Sequence, residues 1–283
     1  MRWQNRRKSS NVEDRRRMGG RGISVGGGLG AVVLVLIYLF FGGDSDDISR
    51  GIQSIQPGTT STAQTLSSEQ EQLGDFVSVV LADTEDVWHM LFRRENLDYR
   101  EPGIVLFSGS TQSACGYARS ASGPFYCPGD EMIYIDLDFL QAMQRQLGAP
   151  GDFAMAYVIA HEVGHHVQKL LGIMDKHNRL RSQLSEREFN RQTVRLELQA
   201  DFLAGIWAHH AQRMKNILEE GDIREGIDAA AAVGDDRIQQ GSRGYVVPDS
   251  FTHGTSRQRS HWFLKGWKTG DLNQGDTFSA AGL

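Results

Sequence analysis

The stretch AYVIAHEVGHHVQKLLG, Ala156 to Gly172, carries three histidines and a glutamate among residues that suit a buried helix. His161 and His165 stand four apart, so on a helix they share one face and their imidazoles can converge on one ion. Glu162 projects about 100° round the helix from His161 and can lie beside that ion without binding it. This is the H-E-x-x-H arrangement, in which two histidines hold zinc and the glutamate serves as general base. The competing reading is a helix whose histidines are satisfied within the core.

A second segment, ELQAD, sets Glu197 and Asp201 four apart on another helix face. Like charges at that spacing are mildly destabilising. The positions three or four residues from them hold Thr193, Val194, Leu198, Ala200, Ala204 and Gly205, none of them basic. The two carboxylates therefore need a cation from elsewhere, and a zinc ion on His161 and His165 supplies one. Glu197 is then the third ligand, and Asp201 holds one histidine in the required tautomer. One zinc per chain on His161, His165 and Glu197 leaves a fourth position for water. The oxyanion of a tetrahedral transition state needs a further donor. THGTSRQR offers His253 and Arg259, and Tyr245 is another candidate. His166 points away from the His161/His165 face and is read as a packing residue. His209 and His210 are adjacent and cannot face one ion together.

These residues need elements to hold them. Helical spacing of apolar residues begins at Ser68 and runs past Trp88. GIVLFSG reads as a strand, and GPFYCPGDEMIYID as two short strands about a Pro-Gly turn. DFLQAMQRQLG reads as a helix ended by Gly148, and the histidine helix follows. Ser185 and Glu188 form a capping box for a long helix through the ELQAD segment. Another helix begins at Asp222. Past Gly241 only a short helix, within HWFLKGWKTGDLNQGDTF, is predicted. Strands followed by helices make the fold class α+β.

Upstream, the chain changes character twice. Residues 1–22 hold eight Lys/Arg and two Asp/Glu and read as a disordered basic tail. Residues 23–43 carry no charge, and about 20 apolar residues span a bilayer. With arginines before it and GGDSDD after it, this span predicts an anchor with a cytoplasmic N-terminus. A cleaved signal peptide fits less well, because bulky Phe40 and Phe41 precede Asp44. Residues 44–67 are polar and suit a flexible linker, leaving 68–283 as the globular body.

Net charge is −5 for the 283 residues, so with +6 in the tail and none in the span, residues 44–283 carry −11. A body that acidic repels phosphate, which argues against nucleic acid as a partner. The chain has two cysteines, Cys115 and Cys127, at a spacing that fits neither a zinc finger nor a thioredoxin motif. They are a buried thiol pair or one disulfide, and an outward-facing body favours the disulfide. A cysteine hydrolase built on Cys127 lacks features that activate a thiol.

The segments NVEDRR, SACG, GPFYCPGDEMIYIDLDF, AHEVGHHVQ, RLELQADFLAG and FTHGTSRQR together resemble the bacterial "putative neutral zinc metallopeptidase" family across nearly the whole chain. The resemblance implies a zincin-like fold, zinc, and hydrolysis of a peptide or protein substrate. By analogy with zincins, the strand at Ile133–Ile135 would pair with the substrate backbone. The functional expectation is an endopeptidase of the bacterial inner membrane, anchored in the lipid bilayer through residues 23–43, with its body on the periplasmic or extracytoplasmic side. The alternative is a non-catalytic protein that keeps the fold and binds a peptide or partner. The intact Glu162 argues against it.

Overall fold

A computed structural model describes residues 1–16, 66–119, 123–137 and 151–283. The expected anchor at 23–43, nearly all of the 44–67 linker and the helix expected before Gly148 lie outside the described residues. No helix among the described residues is long and apolar enough to cross a membrane.

The fold is α+β. Helix α1 (Ser68–Arg94) starts at a Ser67/Gln70 capping box, with acidic residues in its first turn and Arg93 and Arg94 in its last. Its apolar face buries Phe76, Val80, Leu81 and Trp88. A four-stranded sheet lies beside it in the order β1 (Val12–Asp14), β2 (Gly103–Phe107), β6 (Met132–Asp136) and β5 (Phe125–Cys127). The first three strands are parallel, and β5 runs antiparallel to β6. A separate hairpin, β3 (Ser110–Ser113) and β4 (Gly116–Arg119), was not anticipated. A Cys115–Cys127 disulfide ties that hairpin to β5.

The rest is helical: α2 (Phe153–Leu170), α3 (Ile173–Leu180), α4 (Glu186–Lys215), α5 (Asp222–Ala232), α6 (Asp235–Arg243) and α7 (Ser256–Thr269). The Ser185/Glu188 capping box opens α4. Gly221, in the left-handed region, is the N-cap of α5, and the Glu225 carboxylate accepts from the Phe153 N–H instead of capping α5. The C-terminal region holds more helix than its glycine and serine content suggested, because Thr255 and Gln258 form a third capping box that starts α7.

The largest departure from expectation is at the front of the chain. Residues 1–16 are not a tail. Trp3 packs edge-on against Phe76 at 5.5 Å between ring centroids. Residues 12–14 become the edge strand β1, with Ile104 N–H donating to the Asn11 carbonyl and Arg15 N–H to the Leu106 carbonyl, both at 2.8 Å. The arginines meet carboxylates on α1: Arg6 reaches Asp83 at 2.7 Å, and Arg7 reaches Glu85 and Asp86, each at 2.8 Å. Reading the segment alone could not anticipate this, because its counter-charges lie some seventy-five residues away.

Candidate metal site

Helices α2 and α4 cross closely. A Cβ on Gly164 would meet the Ala200 carbonyl oxygen at 3.1 Å and its Cα at 3.3 Å, so glycine is what admits the approach. At this crossing, ligand atoms of His161, His165 and Glu197 all lie within 4.8 Å of one another. The Glu197 carboxylate sits 3.2 Å from His161 Nε2 and 3.4 Å from His165 Nε2.

The far nitrogen of each ring is engaged. His161 Nδ1 is 2.9 Å from Asp201, and an ionised carboxylate only accepts, so Nδ1 carries the proton. His165 Nδ1 is 2.9 Å from the Gln168 side-chain oxygen. The amide nitrogen of Gln168 donates to the Leu196 carbonyl and to Gln199, which turns its oxygen towards His165. Both rings therefore turn Nε2 toward the space beside Glu197, and once that nitrogen gives up its proton it is free to bind a metal ion. Two imidazole nitrogens and a carboxylate oxygen, each oriented from behind, are a donor set that fits zinc.

Asp201 is fully buried and accepts from Tyr157 Oη, His161 and Arg259. Arg259 contributes Nε at 2.8 Å and a second nitrogen at 2.9 Å, a bidentate clamp. Asp201 thus obtains its cation from α7, leaving Glu197 as the carboxylate that faces the histidines. Burial opposes ionisation of Asp201, but Arg259 and His161 outweigh it and lower its pKa. Burial likewise opposes the ionised form of Glu197, yet His165 and His161 hold it well below the usual carboxylate range. Burial works against protonation of His161, while Asp201 and Glu197 raise it to about 10. The pocket is thus built to hold positive charge among its carboxylates, which protons provide when no metal does, so metal binding releases them.

Glu162 lies in the same cavity, which measures about 430 Å³ and is also lined by Phe125, Tyr126, Val158, Ile238 and His253. Glu162 is buried, and burial pushes its carboxyl pKa up despite the neighbouring histidines. It is not part of the three-residue donor cluster. A raised carboxyl beside such a cluster has the properties of a general base.

The oxyanion candidates separate. Arg259 lines the cavity but is buried, with Nε and a second nitrogen bound to Asp201. Tyr245 is 61% exposed and does not line the cavity. His253 lines the cavity from a half-exposed position. Its loop is held by Asp235, whose carboxylate accepts from the backbone N–H groups of Thr252, His253 and Gly254. Burial lowers the His253 pKa, but Asp235 and Glu197 raise it overall.

The strand at Ile133–Ile135 belongs to β6, which lies inside the sheet between β2 and β5 and has no edge to offer. The edge nearest the cavity is β5, where Phe125 and Tyr126 line the wall. His166 hydrogen-bonds Tyr126 Oη and the Arg100 carbonyl, in keeping with packing. His209 and His210 each bond a backbone carbonyl near the end of α7.

Sequence reasoning missed Tyr157, Gln168 and Asp235. Gln168 was detectable, three residues beyond His165 and on its face. Tyr157 had the same cue, four residues before His161. Asp235 left no local signal, because its partners come from a loop seventeen or more residues away.

Two histidines and a glutamate gathered on crossed helices, with a separate buried glutamate in the same cavity, define a metal-dependent hydrolase type of site. The family model described as "Putative neutral zinc metallopeptidase" matches residues 1–278, and the chain belongs to this family. It is 48% identical over 285 residues to "Uncharacterized protein YpfJ" of Escherichia coli strain K12, covering 98% of this chain and 99% of that protein. It is 47% identical over 195 residues to "Uncharacterized protein Mb2605" of Mycobacterium bovis, covering 65% of each. No solved structure matches the chain.

Proposed function

We propose that the protein is a membrane-attached zinc endopeptidase with a zincin-like body. One zinc ion per chain is held by His161, His165 and Glu197, and Glu162 is the general base. The observation that carries this reading is the convergence of those three donors within 4.8 Å, with Glu162 buried in the same cavity but outside the donor set. Zinc, when bound, supplies Lewis acidity toward a carbonyl and an acidified water. Asp201 and Gln168 keep the two imidazoles in the tautomer that offers Nε2. Glu162 takes the proton of the attacking water and delivers it to the leaving amine. The outer edge of β5 offers backbone groups for an extended substrate. His253 is the oxyanion donor, oriented through Asp235. Residues 23–43 make the attachment to lipid.

The test is zinc content and peptide-library cleavage by the full-length protein and two variants. Glu162→Gln should keep zinc while hydrolysis falls by several orders of magnitude. His165→Ala should lose both together. Cleavage by Glu162→Gln at the native rate would overturn the mechanism. His253→Ala should lower kcat by about 10²–10³ with zinc content unchanged. A native kcat would leave His253 with no part in the chemistry.

A further inference from the structure

The acidic side of α1 is an occupied docking surface, and its occupant bears on how the chain meets a membrane. Asp75, Asp83, Glu85 and Asp86 receive Lys8, Arg6 and Arg7. Ser9 and Asn11 add hydrogen bonds to Glu85, and the Ser9 N–H donates to the Ser78 carbonyl at 2.9 Å. Beyond β1, Arg16 turns back onto α1 and donates to the Gln70 carbonyl at 2.6 Å. Arg16 also packs on Gly74, where a Cβ would stand 2.8 Å from its guanidinium. Residue 16 and the start of α1 are therefore fastened to one another, although the intervening stretch holds the uncharged run 23–43.

We propose that residues 1–16 and 66–283 lie on the same side of the membrane. A single crossing by residues 23–43 would put about 30 Å of hydrocarbon between Arg6 and Asp83. Their separation is 2.7 Å. Exchange between copies does not relieve the conflict, because every copy inserted in that orientation would have its arginines on one side and its α1 on the other. The basic residues that suggested a cytoplasmic tail are largely spoken for: Arg6, Arg7, Lys8, Arg15 and Arg16 each pair with a carboxylate. The surface fits a short, arginine-rich, extended segment, and the chain supplies it. This inference does not depend on the zinc peptidase reading, and its test does not use hydrolysis.

The test is sided labelling of the full-length protein in bacterial spheroplasts. Ser10→Cys and Ser182→Cys introduce one thiol each at exposed positions. Cys115 and Cys127 are disulfide-bonded, and peptide mass distinguishes them from the new sites. A membrane-impermeant maleimide is applied before and after permeabilisation. Both positions should label under the same condition, and Lys8→Cys should follow Ser10→Cys. Labelling of Ser182→Cys in intact spheroplasts, with Ser10→Cys and Lys8→Cys reacting only after permeabilisation, would overturn the proposal, as would the reverse.

Discussion

The crossing of α2 with α4 and the contact of residues 1–16 with α1 both bury charge, but by different means. At the crossing, His161 and His165 come from one turn of helix and Glu197 and Asp201 from another, so each half of the site is a local pattern. Along α1, the basic partners come from an extended segment and the acidic ones from mid-helix. Neither half has a spacing that marks it. In the first region a shared helix face reports the chemistry. In the second, only the fold brings Arg6, Arg7 and Lys8 to their counter-charges. A run of arginines is thus uninformative about disorder until its acidic partners are located, whereas two histidines four apart carry geometry with them.

Removing one charge from each region sharpens the contrast. Asp201→Ala should have the larger effect, since it strands Arg259 in the interior with no carboxylate partner. Breaking a buried pair from one side costs about 3–5 kcal/mol. Zinc affinity should also fall about 10–100-fold through the freed His161 ring. Urea denaturation and zinc titration measure the two losses, and an unchanged urea midpoint would mean that Arg259 finds another partner.

Arg6→Ala combined with Arg7→Ala should cost less, about 2 kcal/mol, because Lys215 still donates to Asp83 at 2.9 Å and Arg7 is half exposed. For a body of this size, that lowers the thermal midpoint by about 4–8 °C. No change in midpoint would mean the segment contributes nothing to stability.

The smallest effect is a pH dependence at the Asp235–His253 contact. The His253 pKa is raised in the folded protein, so its stabilisation is full below about 6.5 and is lost as pH rises through the folded value. The Asp235 pKa is lowered, so its stabilisation is present above about 3.9 and is lost as pH falls through its folded value. The contact should therefore stabilise most between those limits. Solvent screening holds it to within about 1 kcal/mol. Comparing urea midpoints from pH 5 to 9, in about one-unit steps, for the native protein and His253→Ala should show this component vanish in the variant. Parallel curves would remove His253 from the balance.

Most of what positions the site was legible in the sequence. The α2 motif, the capped α4 and the β5–β6 turn all follow from local chemistry, namely helix-face spacing, side-chain caps and a Pro-Gly corner. Arg259 was visible as a candidate but its bond to Asp201 was not, because that contact depends on how α7 packs. The position of β6 inside the sheet was hidden for a similar reason: parallel pairing with β2 cannot be read from either strand alone. The strand β1 was hidden twice over, being short, polar and set in a basic run.

The α4–α7 contact bears on the order in which the chain is made. Gly205 and Gly266 meet where a Cβ on either would fall 2.1 Å from a carbonyl oxygen of the other helix, so α7 settles onto α4 backbone to backbone. That contact delivers Arg259 to Asp201. A ribosome completes the histidine motif and both carboxylates well before it reaches Ser256. Until α7 emerges, the nascent polypeptide carries the full set of donors while Asp201 lacks its guanidinium clamp. The clamp on Asp201, the residue that holds His161 Nδ1, is therefore completed late in synthesis, when α7 docks.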